Sequence, residues 1–179
     1  MTGTYKMTIA GCERELPMYP VNDKLEIAAF ILFDDVEITE KSAQALLRLC
    51  PEHDIILTAE AKSIPLCYEL ARIGCKRYVV ARKGTKVYMT DPISASVNSI
   101  TTSYDQMLYL GLEDVEKLRN KRVLILDDVI STGESLKVLE NLVEKSGGTI
   151  VGKAAVLAEG DAANRDDIIF LEKLPLFFK

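Results

Sequence analysis

Apolar positions fall into short unbroken runs separated by segments with helical spacing, the pattern of buried strands alternating with amphipathic helices. Residues 5–9 and 16–21 read as strands on either side of a turn centred on Gly11, and residues 25–33 form a long apolar run. Thr39 can cap a helix whose apolar positions Ala43, Leu46, Leu47 and Cys50 keep the helical period, and Pro51 stops it. Ile55-Ile56-Leu57 is a short buried strand. A second helix has Pro65 in its first turn, Leu66, Leu70 and Ile73 on one face, and Gly74 at its end. Tyr78-Val79-Val80-Ala81 makes the next strand. Residues 82–110 turn β-like and polar, with Thr90, Ser94, Ser96, Ser99, Thr101, Thr102 and Ser103 among them. So many hydroxyls and so few large apolar groups suit a flexible β-hairpin loop better than a packed element. A short helix at 113–119, a strand beginning at Val123, a helix carrying Leu136, Leu139 and Val143, and strands at 150–157 and 168–171 complete the chain. The alternation, without repeat or linker, predicts an α/β fold: a single domain over residues 1–179 with a mostly parallel sheet flanked by helices.

Composition narrows the chemistry. A chain of 179 residues, 48% hydrophobic and 27% charged, is an ordinary globular protein. It has no apolar run of bilayer length and no long apolar stretch near Met1, so the expected location is the cytoplasm. Four cysteines (Cys12, Cys50, Cys67, Cys75) show no CxxC spacing and read as reduced structural residues. The single histidine, His53, lies between two acids at a helix-to-strand turn, which leaves zinc or triad chemistry almost no material. Net charge of −5 argues against a nucleic-acid binder, which needs a basic footprint. One stretch runs the other way. Arg72, Lys76, Arg77, Arg82, Lys83 and Lys86 fall within sixteen residues that hold no acid. Such a run is either a solvated face or the seat of a small anion such as diphosphate.

The most informative run is Val123-Leu124-Ile125-Leu126-Asp127-Asp128-Val129-Ile130-Ser131-Thr132-Gly133-Glu134-Ser135. A buried strand ends in two adjacent carboxylates, and a hydroxyl- and glycine-containing turn then opens a helix. Ionised carboxylates only accept hydrogen bonds, which suits a diol. A helix N-terminus offers unpaired N–H groups to an anion, and Gly133 lets the backbone approach it closely. A sugar phosphate satisfies both ends of the unit.

These thirteen residues resemble the phosphoribosyl pyrophosphate (PRPP) signature of type I phosphoribosyltransferases, purine branch. The resemblance implies that Asp127 and Asp128 hold the ribose 2- and 3-hydroxyls while Ser131, Thr132, Gly133, Glu134 and Ser135 wrap the 5-phosphate. Leu57-Thr58-Ala59-Glu60-Ala61-Lys62-Ser63-Ile64 is similar to the diphosphate loop of purine members, with Ala61, Lys62 and Ser63 at the contact positions. Adenine-specific members usually carry Arg-Gly where Lys62-Ser63 stand. The segment from Val80 with Ala95-Ser96-Val97-Asn98-Ser99 is similar to adenine and xanthine enzymes. There a basic residue near Arg82, Lys83 or Lys86 reaches the diphosphate of a neighbouring subunit, implying a homodimer. The stretch around Ser103 and Tyr104 would close over PRPP. Gly147 to Gly160 resembles the following strand, so the likeness spans about residues 53 to 165. The two termini, which align poorly, would build a small hood over the base.

The implied reaction is attack of a purine nitrogen on C1 of PRPP, giving a nucleoside monophosphate and diphosphate, with Mg2+ held mainly by substrate oxygens. The implied partners are PRPP and a purine base, with no nucleic acid and no membrane. Ser131 stands where 6-oxopurine enzymes of the hypoxanthine-guanine type carry Asp, and Gly160 where xanthine enzymes carry Lys. Adenine therefore leads, although Asp105 is only an approximate counterpart of the acid in the adenine enzymes' closing loop. Tyr19, Phe30, Phe33, Phe170, Phe177 and Phe178 are the aromatic candidates for stacking on the base. Three alternatives stay open: a xanthine or other-purine enzyme, a PRPP-sensing regulator without turnover, and an unrelated sugar-phosphate-binding α/β protein.

Overall fold

A computed structural model describes residues 3–97 and 106–179 of the chain. Its centre is a five-stranded parallel sheet formed by β4 (Ile55–Ala59), β5 (Tyr78–Ala81), β8 (Arg122–Ile130), β9 (Thr149–Glu159) and β10 (Ile169–Leu174), ordered β10-β9-β8-β4-β5. The apolar runs are continuous because both faces are covered. Along β8, Leu124 and Leu126 enter one core with α1 (Val36–Leu49) and α2 (Ile64–Ile73). Val123 and Ile125 enter the other with α3 (Leu112–Leu118) and α4 (Glu134–Lys145). Each fully buried Leu or Ile on these faces contributes roughly 1.5–3 kcal/mol.

A second, four-stranded sheet joins the two ends of the chain. The hairpin β1 (Thr4–Ile9) and β2 (Cys12–Asn22) turns at Ala10-Gly11, both with positive φ. β3 (Leu25–Ala28) pairs with β2 on one side and with β11 (Phe177–Phe178) on the other. The expected hood from the termini is this sheet. The polar span contains an antiparallel pair, β6 (Ile93–Val97) and β7 (Gln106–Leu110). Ser103 and Tyr104, expected to close over the ligand, lie outside the described residues.

Two local expectations need correction. The cap of α1 is Asp35, not Thr39: its carboxylate accepts the Ile38 N–H at 3.2 Å and is fixed by two bonds from Arg14 of β2. Thr39 sits one turn in, donating its hydroxyl to the Asp35 carbonyl. The run at 25–33 is strand only to Ala28, after which Phe30 and Leu32 still turn inward while Ile31 and Phe33 are exposed. Gly74 ends α2 as expected, with φ −111° and close packing around it. A Cβ there would lie 3.0 Å from the Leu70 carbonyl oxygen and 3.1 Å from Leu47.

Candidate active site

Register creates the site. β4 pairs with β8 only as far as Thr58 opposite Leu126, whereas β8 continues beside β9 through Ile130. Asp127 and Asp128 therefore lie just past the last β4–β8 pair, toward the carboxyl ends of parallel strands, where open α/β sheets bind ligands.

The two acids differ. Asp128 is buried, 4% exposed, and Asp127 partly so. Burial, then the adjoining Asp128 charge, pushes the Asp127 carboxyl up to about 8, even though its Oδ1 accepts the Asp128 N–H at 2.9 Å. Lys62 Nζ stands 3.1 Å from Asp128 Oδ2. That oxygen nevertheless receives no aligned hydrogen bond among the described residues. Lys62 is half-exposed, so the ion pair joins a solvent-facing ammonium to a buried carboxylate.

Lys62 belongs to the loop between β4 and α2, in which the Glu60–Ala61 peptide is cis. Thr58 donates its hydroxyl to the Leu126 carbonyl at 2.7 Å and shares a 2.7 Å bond with Ser63, which also reaches the Ala59 carbonyl. Both hydroxyls are buried, which fastens the loop to β8. The side chain of Ser63 is therefore committed to the protein. Among the described residues the N–H groups of Ala61, Lys62 and Ser63 donate to no backbone carbonyl, and α2 begins directly behind them. A cleft of about 440 Å³ connects this loop with Asp127, Asp128, Lys83 and Ser135.

Beyond the acids the chain turns through Ser131, Thr132 and Gly133 into α4. Gly133 takes φ +82°, the left-handed region that a side chain disfavours. Residues 131–135 surround a small pocket of about 40 Å³ that also touches Asp127. A second, more apolar cleft of about 280 Å³ lies under the hood, lined by Phe30, Ile31, Lys62, Val129 and Glu159 among others. Burial raises the Glu159 carboxyl, and the Lys62 charge opposes the rise. Lys62 and Val129 border both of these clefts, so the arrangement runs from the small pocket through the acidic pair to the apolar chamber.

The profile of the family described as "Phosphoribosyl transferase domain" matches residues 35–174. The chain belongs to this family. It is 28% identical over 142 residues to the adenine phosphoribosyltransferase of Petrotoga mobilis (strain DSM 10674 / SJ95), covering 78% of this chain and 79% of that protein. It is 31% identical over 148 residues to the hypoxanthine/guanine phosphoribosyltransferase of Methanococcus voltae (strain ATCC BAA-1334 / A3), covering 83% and 73%. The fold matches the crystal structure of adenine phosphoribosyltransferase from Thermoanaerobacter pseudethanolicus with a TM-score of 0.70 at 23% identity, covering 88% of this chain and 95% of that one.

As a member of the phosphoribosyl transferase family, the chain brings together Asp127, Asp128, Ala61, Lys62, Ser63, Lys83 and Ser135 around one cleft, with residues 131–135 around the adjoining pocket. Arg82 instead turns toward Glu60, its Nε 3.6 Å from Oε2, and Lys86 lines neither cleft because its turn leads away toward Met89. Of the aromatic candidates, Phe30 lines the chamber, Phe33 faces a groove beside α1, and Phe177 packs on Tyr5 at 4.9 Å between ring centres. Glu60 lies within the loop motif without an expected role of its own; its carboxylate accepts the Lys83 N–H at 3.1 Å and so ties the basic segment to the loop. Glu159 closes a strand that the motif did include, but nothing in the pattern pointed to its facing the chamber.

Proposed function

We propose that this protein is a purine phosphoribosyltransferase that transfers the 5-phosphoribosyl group of PRPP to a purine, adenine first, and releases diphosphate. One observation carries the reading: the pair Asp127-Asp128 lies between a phosphate-sized pocket at the start of α4 and a loop of free N–H groups at the start of α2. That order matches 5-phosphate, ribose diol and C1 diphosphate along one molecule. The chamber with Phe30 then lies on the side where a base approaches.

Asp127 and Asp128 accept from the ribose hydroxyls. The N–H groups of residues 132–135 hold the 5-phosphate. Glu134 contributes its N–H, since its carboxylate would repel the anion, although that charge favours the helix start. Lys62 exchanges Asp128 for the departing diphosphate, and Lys83 faces the same anion from the cleft wall. The transition state gains positive character at the ribose, so positioning and charge placement supply most of the acceleration. The protein offers Mg2+ two carboxylates, one with a buried oxygen that is ion-paired to Lys62 but receives no aligned hydrogen bond, and no cluster of three or more acidic, His or Cys ligands among the described residues. That donor set fits a magnesium carried mainly by PRPP, where it would neutralise diphosphate charge.

Ser131 and Gly160, in place of Asp and Lys, support adenine over 6-oxopurines and xanthine. An exposed apolar patch of Phe33, Val36 and Tyr68, with Tyr78 beside Tyr68, supports a homodimer through this face. No helix among the described residues is long and apolar enough to cross a membrane, and we place the enzyme in the cytoplasm. The test is turnover of PRPP with adenine, hypoxanthine, guanine and xanthine, following diphosphate. Release with adenine fastest is expected. PRPP binding without release identifies a sensor, and no binding removes the reading.

A further inference from the structure

Lys62 and Lys83 both face the diphosphate end of the cleft. The 5-phosphate pocket has only backbone N–H groups and hydroxyls as donors on its lining. A guanidinium nevertheless stands beside one of its lining residues, Gly133. A Cβ built on Gly133 would lie 2.7 Å from Arg165 Nη1 and 4.0 Å from its Cζ. Arg165 comes from a different part of the chain, just after the 3-10 turn (Gly160–Asn164) that follows β9. We propose that Arg165 is a positioning residue for the phosphate-binding turn, occupying the space beside Gly133 and presenting a fixed positive edge to the 5-phosphate seat. The proposal rests on the reading of that turn as the 5-phosphate site.

Three observations carry it. First, the side chain is held in place. Arg165 Nε and Nη2 donate to the two carboxylate oxygens of Asp167 at 2.8 and 2.7 Å, a bidentate pair. Asp167 in turn accepts from Lys153, which also donates to Glu140 of α4 at 3.0 Å. The guanidinium is thereby braced against the same helix whose N-cap, Gly133, it stands beside. Second, the atom left over is the one that faces Gly133. With Nε and Nη2 committed, Nη1 has no hydrogen-bond acceptor among the described residues. Third, the quartet of Arg165, Lys153, Asp167 and Glu140 is neutral in sum. Its effect is therefore local, exerted by the Nη1 edge, and not a general field that would strengthen binding of any anion.

Packing gives Gly133 a second reason to lack a side chain. Its φ of +82° already disfavours one, and Arg165 fills the volume that a methyl group would need. The two residues are therefore coupled, and the coupling separates a positioning role from a merely structural salt bridge.

The experiment uses the full chain and three variants, Arg165→Gln, Gly133→Ala and the pair together, each checked for a cooperative thermal transition. Calorimetric affinities are measured for ribose 5-phosphate and for diphosphate, with KM for PRPP and kcat alongside. Arg165→Gln is expected to weaken ribose 5-phosphate and raise the PRPP KM about tenfold, with kcat and diphosphate affinity within about twofold. Gly133→Ala is expected to lose less affinity when combined with Arg165→Gln than when made alone. Unchanged ribose 5-phosphate affinity in Arg165→Gln, or strictly additive losses in the pair, overturns the proposal. Should Arg165→Gln fail to fold, Arg165→Lys answers the same question, since it keeps the charge but not the bidentate brace; parental affinity there overturns it too. Failure of the underlying reading looks different: the parent protein itself would then bind no ribose 5-phosphate.

Discussion

Replacing Asp127 with Asn should stabilise the protein while destroying its use of PRPP. Asp127 is packed beside Asp128, and burial with that neighbouring charge raises its carboxyl to about 8, against roughly 3.9 for an unfolded aspartate. A folded state that binds the proton more tightly than the unfolded state is favoured at low pH. Its stability falls as pH climbs from about 4 through about 8, and the loss is complete above that. At about 1.4 kcal/mol per pH unit the ceiling is about 6 kcal/mol. Water in the open cleft and the Lys62 ammonium screen the pair, which brings the expected gain of Asp127→Asn to about 2 kcal/mol at pH 8.5. The amide oxygen can keep the bond from the Asp128 N–H. For a chain of this length, 2 kcal/mol corresponds to roughly 4–8 °C in Tm. Urea or thermal unfolding of ligand-free protein at pH 4.5, 6.5 and 8.5 provides the assay. The difference should grow with pH and nearly vanish at the acid end. An Asn variant that is less stable at pH 8.5, or a pH-independent difference, refutes the electrostatic account of the pair.

Three further outcomes follow from the same geometry. Lys62→Met leaves Asp128 buried without a counter-ion; we expect a loss of about 1–2 kcal/mol in unfolding free energy and a PRPP KM at least tenfold higher, both read on one preparation. Ser63→Ala removes a buried hydroxyl bond but no ligand contact, so denaturant titration should show about 1 kcal/mol lost while kcat stays within a fewfold of the parent. Asp35→Ala removes the cap of α1 and one of the two carboxylates that pair with Arg14, which should cost about 1–2 kcal/mol and leave steady-state PRPP kinetics unaltered.

The sheet was readable because its strands are buried on both faces and so appear as apolar runs. β4, β5 and β8 all fall where those runs lie. The helix starting near residue 36 was misplaced because Asp35 becomes a cap only when Arg14, twenty-one positions earlier, pins its carboxylate. Such a long-range bond leaves no local pattern. The acidic pair and the turn after it were legible since strand, acids, hydroxyls and glycine are contiguous. The hydroxyl of Ser63 carried no signal of its own: at a loop end it looks the same in sequence whether it meets a phosphate or Thr58. Arg165 carried no signal at all, because its meaning comes from proximity to Gly133 across the fold.

The most direct measurement is a crystal structure of the protein soaked with PRPP and Mg2+. The pentose hydroxyls are expected within hydrogen-bonding distance of Asp127 and Asp128, the 5-phosphate on the N–H groups of residues 132–135, and Lys62 turned from Asp128 to the diphosphate. PRPP seated elsewhere, or absent from a crystal in which that turn is open to solvent, would contradict the account.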